Sequence, residues 1–250
     1  MPAAPSSVRD PAVALDPLAL YASAIDTSDY VARVAPLIRR LVSEIGDLID
    51  IGAGGGQLGA ALLAPGRRWT VIEPSPTMGA RLLARPQAPA IIPRGWDEDI
   101  ACEPADTVLA ATMPGYFGDP VRFLARCRQW GRRRIVWVVP AQKAPKGLIL
   151  AACLPREWHG EDETPGIDLV LPKLGLDLPD RSDATDWTFS LVLPELGRFA
   201  AFQADRLGWA PDDPRRPELL AHLTKQAEPV AGGFRLSCHR RSAILVWTLS

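Results

Sequence analysis

Several things are scarce in this sequence, and each scarcity excludes something. There are only four cysteines, Cys102, Cys127, Cys153 and Cys238, and no two of them have CxxC spacing. Neither a zinc site nor a disulfide framework is indicated. No apolar run approaches the roughly 18 residues that a membrane span needs; the longest, such as residues 147–154 and 135–139, are far shorter. The first residues carry Arg9, Asp10, Asp16 and several prolines, so they lack the apolar core of a signal peptide. Neither sign of charge dominates. Lys and Arg number 28 against 29 Asp and Glu, a net charge of −1, which argues against a dedicated nucleic-acid binder. The expectation is a cytoplasmic globular protein with no membrane partner.

The 250 residues, 47% of them hydrophobic and 23% charged, suffice for one large domain with a sizeable core. Proline is abundant, at 25 residues, but it is dispersed, punctuating elements rather than forming a disordered tract. No internal repeat is evident.

Apolar residues at Val31, Val34, Leu37, Ile38, Leu41, Val42 and Ile45 recur at helical spacing, predicting a helix over 28–45 with Ser28 as its N-cap. Residues 47–51 read as a strand running into a glycine loop at 52–56, and a helix starts near Leu58. A second strand (68–72) ends at Glu73. A helix over 77–85, a strand at 90–92, a strand at 106–111, a helix over 120–130 and a strand at 134–139 follow. This alternation predicts a parallel sheet covered by helices on both faces. Beyond residue 140 the rhythm breaks. A helix around 148–156, an acidic proline-rich stretch at 159–183, a strand at 187–193, and helices over 194–207 and 216–226 are expected. A final hairpin is expected to turn through His239, Arg240 and Arg241 and to add an antiparallel closing strand. The divisions are an N-terminal helical cap (1–46), a nucleotide-binding core (47–145), a helical and irregular insertion covering the substrate (146–231), and the hairpin (232–250).

The chemistry-bearing feature is Asp50-Ile51-Gly52-Ala53-Gly54-Gly55-Gly56. Glycines at a strand-to-helix turn permit positive φ and let a ligand approach the backbone. Glu73 lies 73 − 52 = 21 residues beyond the first glycine, where a carboxylate can accept hydrogen bonds from both hydroxyls of an adenosine ribose. Strand, loop, helix, strand and acid in this order point to an adenosine-containing ligand. The dinucleotide fingerprint G-x-G-x-x-G fails from Gly52, whose sixth position is Gln57. It fits from Gly54 to Gly59 only two residues late.

The acid-first frame Asp50-x-Gly52-x-Gly54-x-Gly56 resembles the first motif of class I S-adenosylmethionine-dependent methyltransferases, and Glu73 sits where that family has its ribose-binding acid. Trp96-Asp97 follows the third strand, where the family often places an acid near the adenine. Residues 106–111 and 134–139 resemble its fourth and fifth strands. Residues 47–140 carry the match; 141–250 agree only in general shape. The resemblance implies a Rossmann-like doubly wound α/β sheet, mostly parallel with an antiparallel closing strand, with N-terminal helices and a helical insertion before the last strand. It implies S-adenosyl-L-methionine as cofactor. By the same resemblance, the backbone of Gly52, Ala53, Gly54 and Gly56 lines the methionine moiety and Asp50 orients the loop or meets the amino group. Glu73, with Pro74 next to it, holds the ribose, and Trp96 and Asp97 flank the adenine.

Methyl transfer is an in-line displacement with a good leaving group, so alignment counts for more than a catalytic triad. Candidates for contact with the acceptor lie beyond the strand ends. Thr112-Met113-Pro114-Gly115 stands where the N-methyltransferase Asp/Asn-Pro-Pro-Tyr signature lies, but does not reproduce it. Tyr116 and Phe117 are candidates for the pocket lining, against an ordinary loop-anchoring role. His159, in the cluster His159-Gly160-Glu161-Asp162-Glu163, is a candidate base, against a solvated acidic loop; no metal site is expected. Trp158, Trp187 and Trp209 are further candidates to face a substrate. Charge and the length of covering sequence favour a small-molecule acceptor. Two other readings stay open: a binding or assembly protein that keeps the fold without turnover, and a nicotinamide-dependent oxidoreductase using the Gly54 frame.

Overall fold

The computed structural model describes residues 15–112, 117–145, 153–160 and 162–249. Two helices, α1 (Pro17–Thr27) and α2 (Tyr30–Leu41), precede the sheet. Asp16 caps α1, accepting from Leu18 N at 2.9 Å with Pro17 in the first turn, a combination that fits a helix start. The single helix expected over 28–45 is shorter, and Ser28 closes α1 instead of opening α2. The reason is tertiary. Ser28 Oγ accepts from Ser190 N at 2.8 Å, and the Asp29 carboxylate accepts from Thr188 N at 2.6 Å. Both side chains that might have capped α2 are bound to a distant strand.

The core then alternates as the sequence predicts: β1 (Leu48–Ile51), α3 (Gln57–Leu62), β2 (Trp69–Ile72), α4 (Pro76–Leu83), β3 (Ala90–Ile92), β4 (Ala105–Ala111), α5 (Pro120–Trp130) and β5 (Gly131–Pro140). The five strands pair in parallel in the order β3-β2-β1-β4-β5. Successive side chains of β1 go to opposite faces. Ile49 and Ile51 join a core with Phe123, Leu124 and Trp137; Leu48 joins another with Leu37, Ile38, Leu62 and Leu109. Asp50 shares that second face and is buried there.

The remaining chain contributes β6 (Ala144–Pro145), α6 (Arg156–His159), β7 (Asp162–Glu163), α7 (Gly166–Val170), β8 (Arg181–Leu193), α8 (Leu196–Arg206), α9 (Arg215–Gln226), β9 (Glu228–Val230) and β10 (Gly233–Thr248). β6 and β7 form a separate two-stranded pair. The expected helix around 148–156 falls largely outside the described residues. The expected terminal hairpin is a single 16-residue strand instead. β10 runs antiparallel to β5 over residues 242–248 and to β8 over 234–246, closing the order β5-β10-β8. His239, Arg240 and Arg241 contain no residue that favours a turn. They lie instead opposite β8, where Asp186 meets His239 Nε2 at 3.2 Å and Arg241 at 2.8 Å. β8 also starts six residues earlier than expected, so the acidic stretch ends inside the sheet. Trp187 belongs to that sheet: it is buried and donates to Ser242 Oγ at 3.0 Å. The architecture is an α/β doubly wound sheet, mostly parallel, with one long antiparallel strand near its far edge.

Candidate functional site

The glycine loop leaves β1 at the carboxyl end of the sheet, where open α/β folds bind ligands. Gly52, Gly54 and Gly56 have φ of +62°, +55° and +73°, values that L side chains rarely adopt. These are the three glycines of the acid-first frame; the dinucleotide frame shares Gly54 and Gly56 with it and needs Gly59, which is not among the positive-φ residues. The loop is held from several sides. Gly52 N donates to Ile72 O at 2.8 Å, Gly56 N to Ala53 O at 2.9 Å, and Arg85 Nε to Gly55 O at 2.6 Å. Gln57, which opens α3, donates to Asp26 of α1 at 2.6 Å, and Arg81 of α4 also binds Asp26. The first helix is thereby tied across the mouth of the loop. A side chain at Gly54 would meet no heavy atom within 4 Å, so the backbone there borders open space.

Glu73, at the end of β2, is buried. One carboxylate oxygen accepts from Gly54 N at 3.0 Å and the other from Ser75 N at 2.9 Å. An ionised carboxylate has about four lone-pair sites, and these two bonds leave acceptor capacity on each oxygen. The acid and the loop that the sequence links only through their spacing are in direct contact.

Asp50 is 2% exposed. Its carboxyl is pushed up from 3.8 to about 7, chiefly by burial and next by the nearby negative charge of Glu73. The Trp69 indole and the Arg85 guanidinium act in the opposite direction, although the indole nitrogen has no hydrogen-bond partner of ordinary geometry among the described residues. A Cβ on Gly59 would collide with the Asp50 carboxylate and lie 3.0 Å from the Trp69 ring. Gly59 is therefore the space in which Asp50 fits.

Trp96 is partly buried, edge-on to Phe123 at 5.1 Å and with Arg122 5.7 Å from its ring centre. Asp97 and Pro74 are exposed. Both are therefore open to solvent near the strand ends, whereas Glu73 and Asp50 are not.

The structure adds two residues that the sequence reading did not single out, Tyr30 and Tyr21, and associates them with Thr112 of the segment after β4. Tyr30, the first residue of α2, is 4% exposed, and its hydroxyl has no hydrogen-bond partner among the described residues. Its ring stands edge-on to Trp187 at 4.8 Å. Burial and the proximity of Tyr21 and Asp50 hold its phenol protonated, opposed by the Thr112 side chain. Burial likewise raises the Tyr21 phenol, with Thr112 and Arg240 opposing. Thr112 follows β4 and has φ +55°, the one positive-φ residue among the described residues that is not glycine. A β-branched side chain in that region is strained. The only sequence signal was rarity: of three tyrosines, two lie in the helices before the sheet.

Tyr116 lies outside the described residues. His159 ends α6, and its Nδ1 is buried without a partner among the described residues; Glu161 lies outside the described residues. Phe117 is buried and stacks on Trp137 at 6.2 Å. Trp158 packs edge-on to Trp209 at 5.9 Å and to His222 at 5.1 Å, in the cluster formed with α8 and α9.

This strand order, with parallel strands, an inserted antiparallel strand and a glycine loop after β1, is a Rossmann-like α/β fold. Among solved structures, a candidate type II methyltransferase from Anaeromyxobacter dehalogenans superposes with a TM-score of 0.51 at 19% identity, covering 86% of this chain and 96% of that one. Magnesium protoporphyrin IX methyltransferase from Synechocystis PCC 6803 gives a TM-score of 0.42 at 13% identity, over 88% and 80% of the two chains. A candidate RNA methyltransferase from Pyrococcus horikoshii gives 0.47 at 11%, over 86% and 80%. No protein-family model and no curated protein matches the sequence. At 19% identity the likeness to the first of these shows the fold alone.

Proposed function

We propose that this chain is a methyltransferase that uses S-adenosylmethionine to methylate a small-molecule acceptor. The observation that carries this reading is the 3.0 Å bond between the Gly54 amide and the Glu73 carboxylate. It brings a backbone free of side chains and a ribose-type acceptor into one crevice at the strand ends. The open space beside Gly54 and the spare acceptor capacity of Glu73 suit a nucleoside. Positive φ at Gly52, which only the acid-first frame uses, favours that frame over the nicotinamide reading. The cofactor supplies an electrophilic methyl on a sulfonium: the acceptor's lone pair forms the new bond to carbon while the carbon–sulfur pair leaves with sulfur.

In this reading the chain's own residues bind and align. Glu73 accepts from the ribose hydroxyls, Asp50 faces the amino end, the backbone of Gly52, Ala53, Gly54 and Gly56 borders the methionine, and Pro74, Trp96 and Asp97 flank the adenine. Alignment of this kind supplies roughly 7–11 kcal/mol of a displacement barrier. α1, tied through Asp26 to Gln57 and Arg81, covers the site, and a covered site with a nearly neutral chain suits a small acceptor. Free cysteines throughout the described residues fit a reducing, cytoplasmic setting.

Calorimetry with S-adenosylhomocysteine tests the reading. Binding by the folded protein, weakened at least about tenfold in Glu73→Ala (~1.4 kcal/mol), is expected. No detectable binding, or NADH bound in its place, overturns it. Incubating labelled cofactor with a metabolite extract, and following the label by mass spectrometry, then identifies the acceptor.

A further inference from the structure

Cys153 and Cys238 are 238 − 153 = 85 residues apart in the chain, yet the fold brings them together at one edge of β10. β5 ends at Pro140, opposite Ser242. The part of β10 just before Ser242 therefore has carbonyls on that side with no strand to pair with, and buried or half-buried carbonyls need partners. The chain after β5 supplies them. Arg241 O accepts from Ala141 N at 2.9 Å, His239 O from Gln142 Nε2 at 2.9 Å, and Ser237 O from the Cys153 thiol at 3.9 Å. Cys153 is held from its other side as well, its carbonyl meeting His222 Nε2 of α9 at 2.8 Å. Cys238 follows Ser237 directly. It lies opposite Phe189 of β8, so its side chain shares the face of that ring. Both cysteines pack against the core that contains Phe189, Leu223 and Leu236, and both are free and partly exposed. The other two belong elsewhere: Cys127 is buried in the opposite core, and Cys102 packs against that one.

Two cysteines are bridged without backbone movement only where their Cα atoms lie within about 7 Å. The Cys153 sulfur is already 3.9 Å from the carbonyl oxygen of the peptide unit that leads into Cys238. We propose that Cys153 and Cys238 form a reversible redox site, closed to an intramolecular disulfide by a low-molecular-weight disulfide such as oxidised glutathione. Cys238 is the attacking thiol. A hydrogen bond from Cys153 holds it at about 7 rather than its usual 9, with burial opposing and the Arg240 guanidinium assisting, and the thiolate is the nucleophile. The Cys238 thiolate attacks one sulfur of oxidised glutathione, forming a mixed disulfide and releasing one glutathione. The Cys153 thiol then gives its proton to solvent, and its sulfur attacks the Cys238 sulfur and expels the second glutathione. Two protein thiols are oxidised, one glutathione disulfide is reduced, and the two protons end on the two glutathione thiols. The new bond fastens the chain ahead of α6 to β10 beyond the end of β5, on the side of the sheet where the glycine loop leaves β1. This inference goes beyond the proposed function and does not rest on it.

The test treats the folded parent protein with excess oxidised glutathione, alkylates the remaining thiols after denaturation, and maps the peptides without reductant by mass spectrometry. One crosslinked peptide pair holding Cys153 and Cys238 is expected, with Cys102 and Cys127 alkylated and the crosslink lost on treatment with dithiothreitol. Cys153→Ser removes the second step, so glutathione should stay on Cys238, with an adduct about tenfold or more abundant than in the parent. The parent experiment needs no variant, so a misfolded substitution does not decide the outcome. Glutathione adducts on the parent without a bridge, a bridge to Cys102 or Cys127, or unreacted thiols in the folded parent under conditions that oxidise the denatured chain each overturn the inference. Every readout is on the thiols, so failure here leaves the proposed function standing, and loss of S-adenosylhomocysteine binding leaves the thiol pair standing.

Discussion

The Glu73 carboxylate and the Gly54 amide, 19 residues apart in the chain, meet at 3.0 Å, and this bond fixes the glycine loop against the second strand. The same carboxylate takes the Ser75 amide at 2.9 Å, so it also shapes the start of α4. One side chain thus supports two backbone turns and faces the crevice between them.

Replacing Glu73 by glutamine keeps the shape and removes the charge. The glutamine carbonyl can accept from only one of the two amides, and its NH2 leaves the other without an acceptor, at a cost of about 1–3 kcal/mol in stability, read as a lower denaturation midpoint with an unchanged slope. Affinity for S-adenosylhomocysteine falls by about tenfold or more. A variant that loses stability and keeps full affinity would remove Glu73 from the ligand site.

Asp50 gives the protein a pH signature. Its carboxyl is raised from 3.8 to about 7, by burial first and the charge of Glu73 second, with Trp69 and Arg85 opposing. The native state therefore keeps a proton that the unfolded chain has already lost. Its stabilising contribution is full below about 4 and is lost as pH rises to about 7. At about 1.4 kcal/mol per pH unit, the window amounts to a few kcal/mol. Asp50→Asn should flatten the profile and be more stable than the parent at pH 8, and no less stable at pH 4. Urea midpoints across this range provide the measurement; parallel profiles for the two proteins contradict the assignment.

Gly59 sits inside α3, where alanine is ordinarily favoured by about 1 kcal/mol. Here the added methyl meets the Asp50 carboxylate and the Trp69 ring. Gly59→Ala should destabilise the protein by about 1–3 kcal/mol, the usual cost of overpacking. Thermal melting of the variant is the check, and a gain in stability would mean that Asp50 does not occupy that space.

β8 offers a contrast between neighbours. Asp186 makes exposed ion pairs with His239 and Arg241, and Asp186→Ala should cost less than about 1 kcal/mol. Trp187 is buried, hydrogen-bonded to Ser242 and packed on Tyr30; Trp187→Ala should cost about 3–5 kcal/mol. Similar losses at the two positions would contradict β8 as a sheet strand with one solvent-facing and one buried face.

Where the pattern is local, the sequence and the tertiary structure agree. Periodicity and glycine placement mark β1, β2, β4 and β5, the helices between them and the glycine loop, because each is specified by neighbours a few residues away. The spacing from Gly52 to Glu73 is legible for the same reason: one strand, one helix and one strand have a fixed length. The C-terminal third was misread where local cues were missing. Residues 239–241 hold neither a turn-forming residue nor an apolar alternation that would mark a strand, and their partners in β8 lie more than 50 residues away.

The amino-acid sequence alone determined that a parallel sheet forms and that a glycine loop and an acid meet at its carboxyl edge, since short-range sterics and burial leave few other arrangements. Tertiary structure alone decided the split between α1 and α2, the single long closing strand, and the packing of Tyr30 on Trp187. Those depend on contacts such as Ser28 with Ser190 and Asp29 with Thr188. Such contacts join residues about 160 positions apart and leave no periodic trace, because they arise only once the two ends of the chain pack on the same sheet.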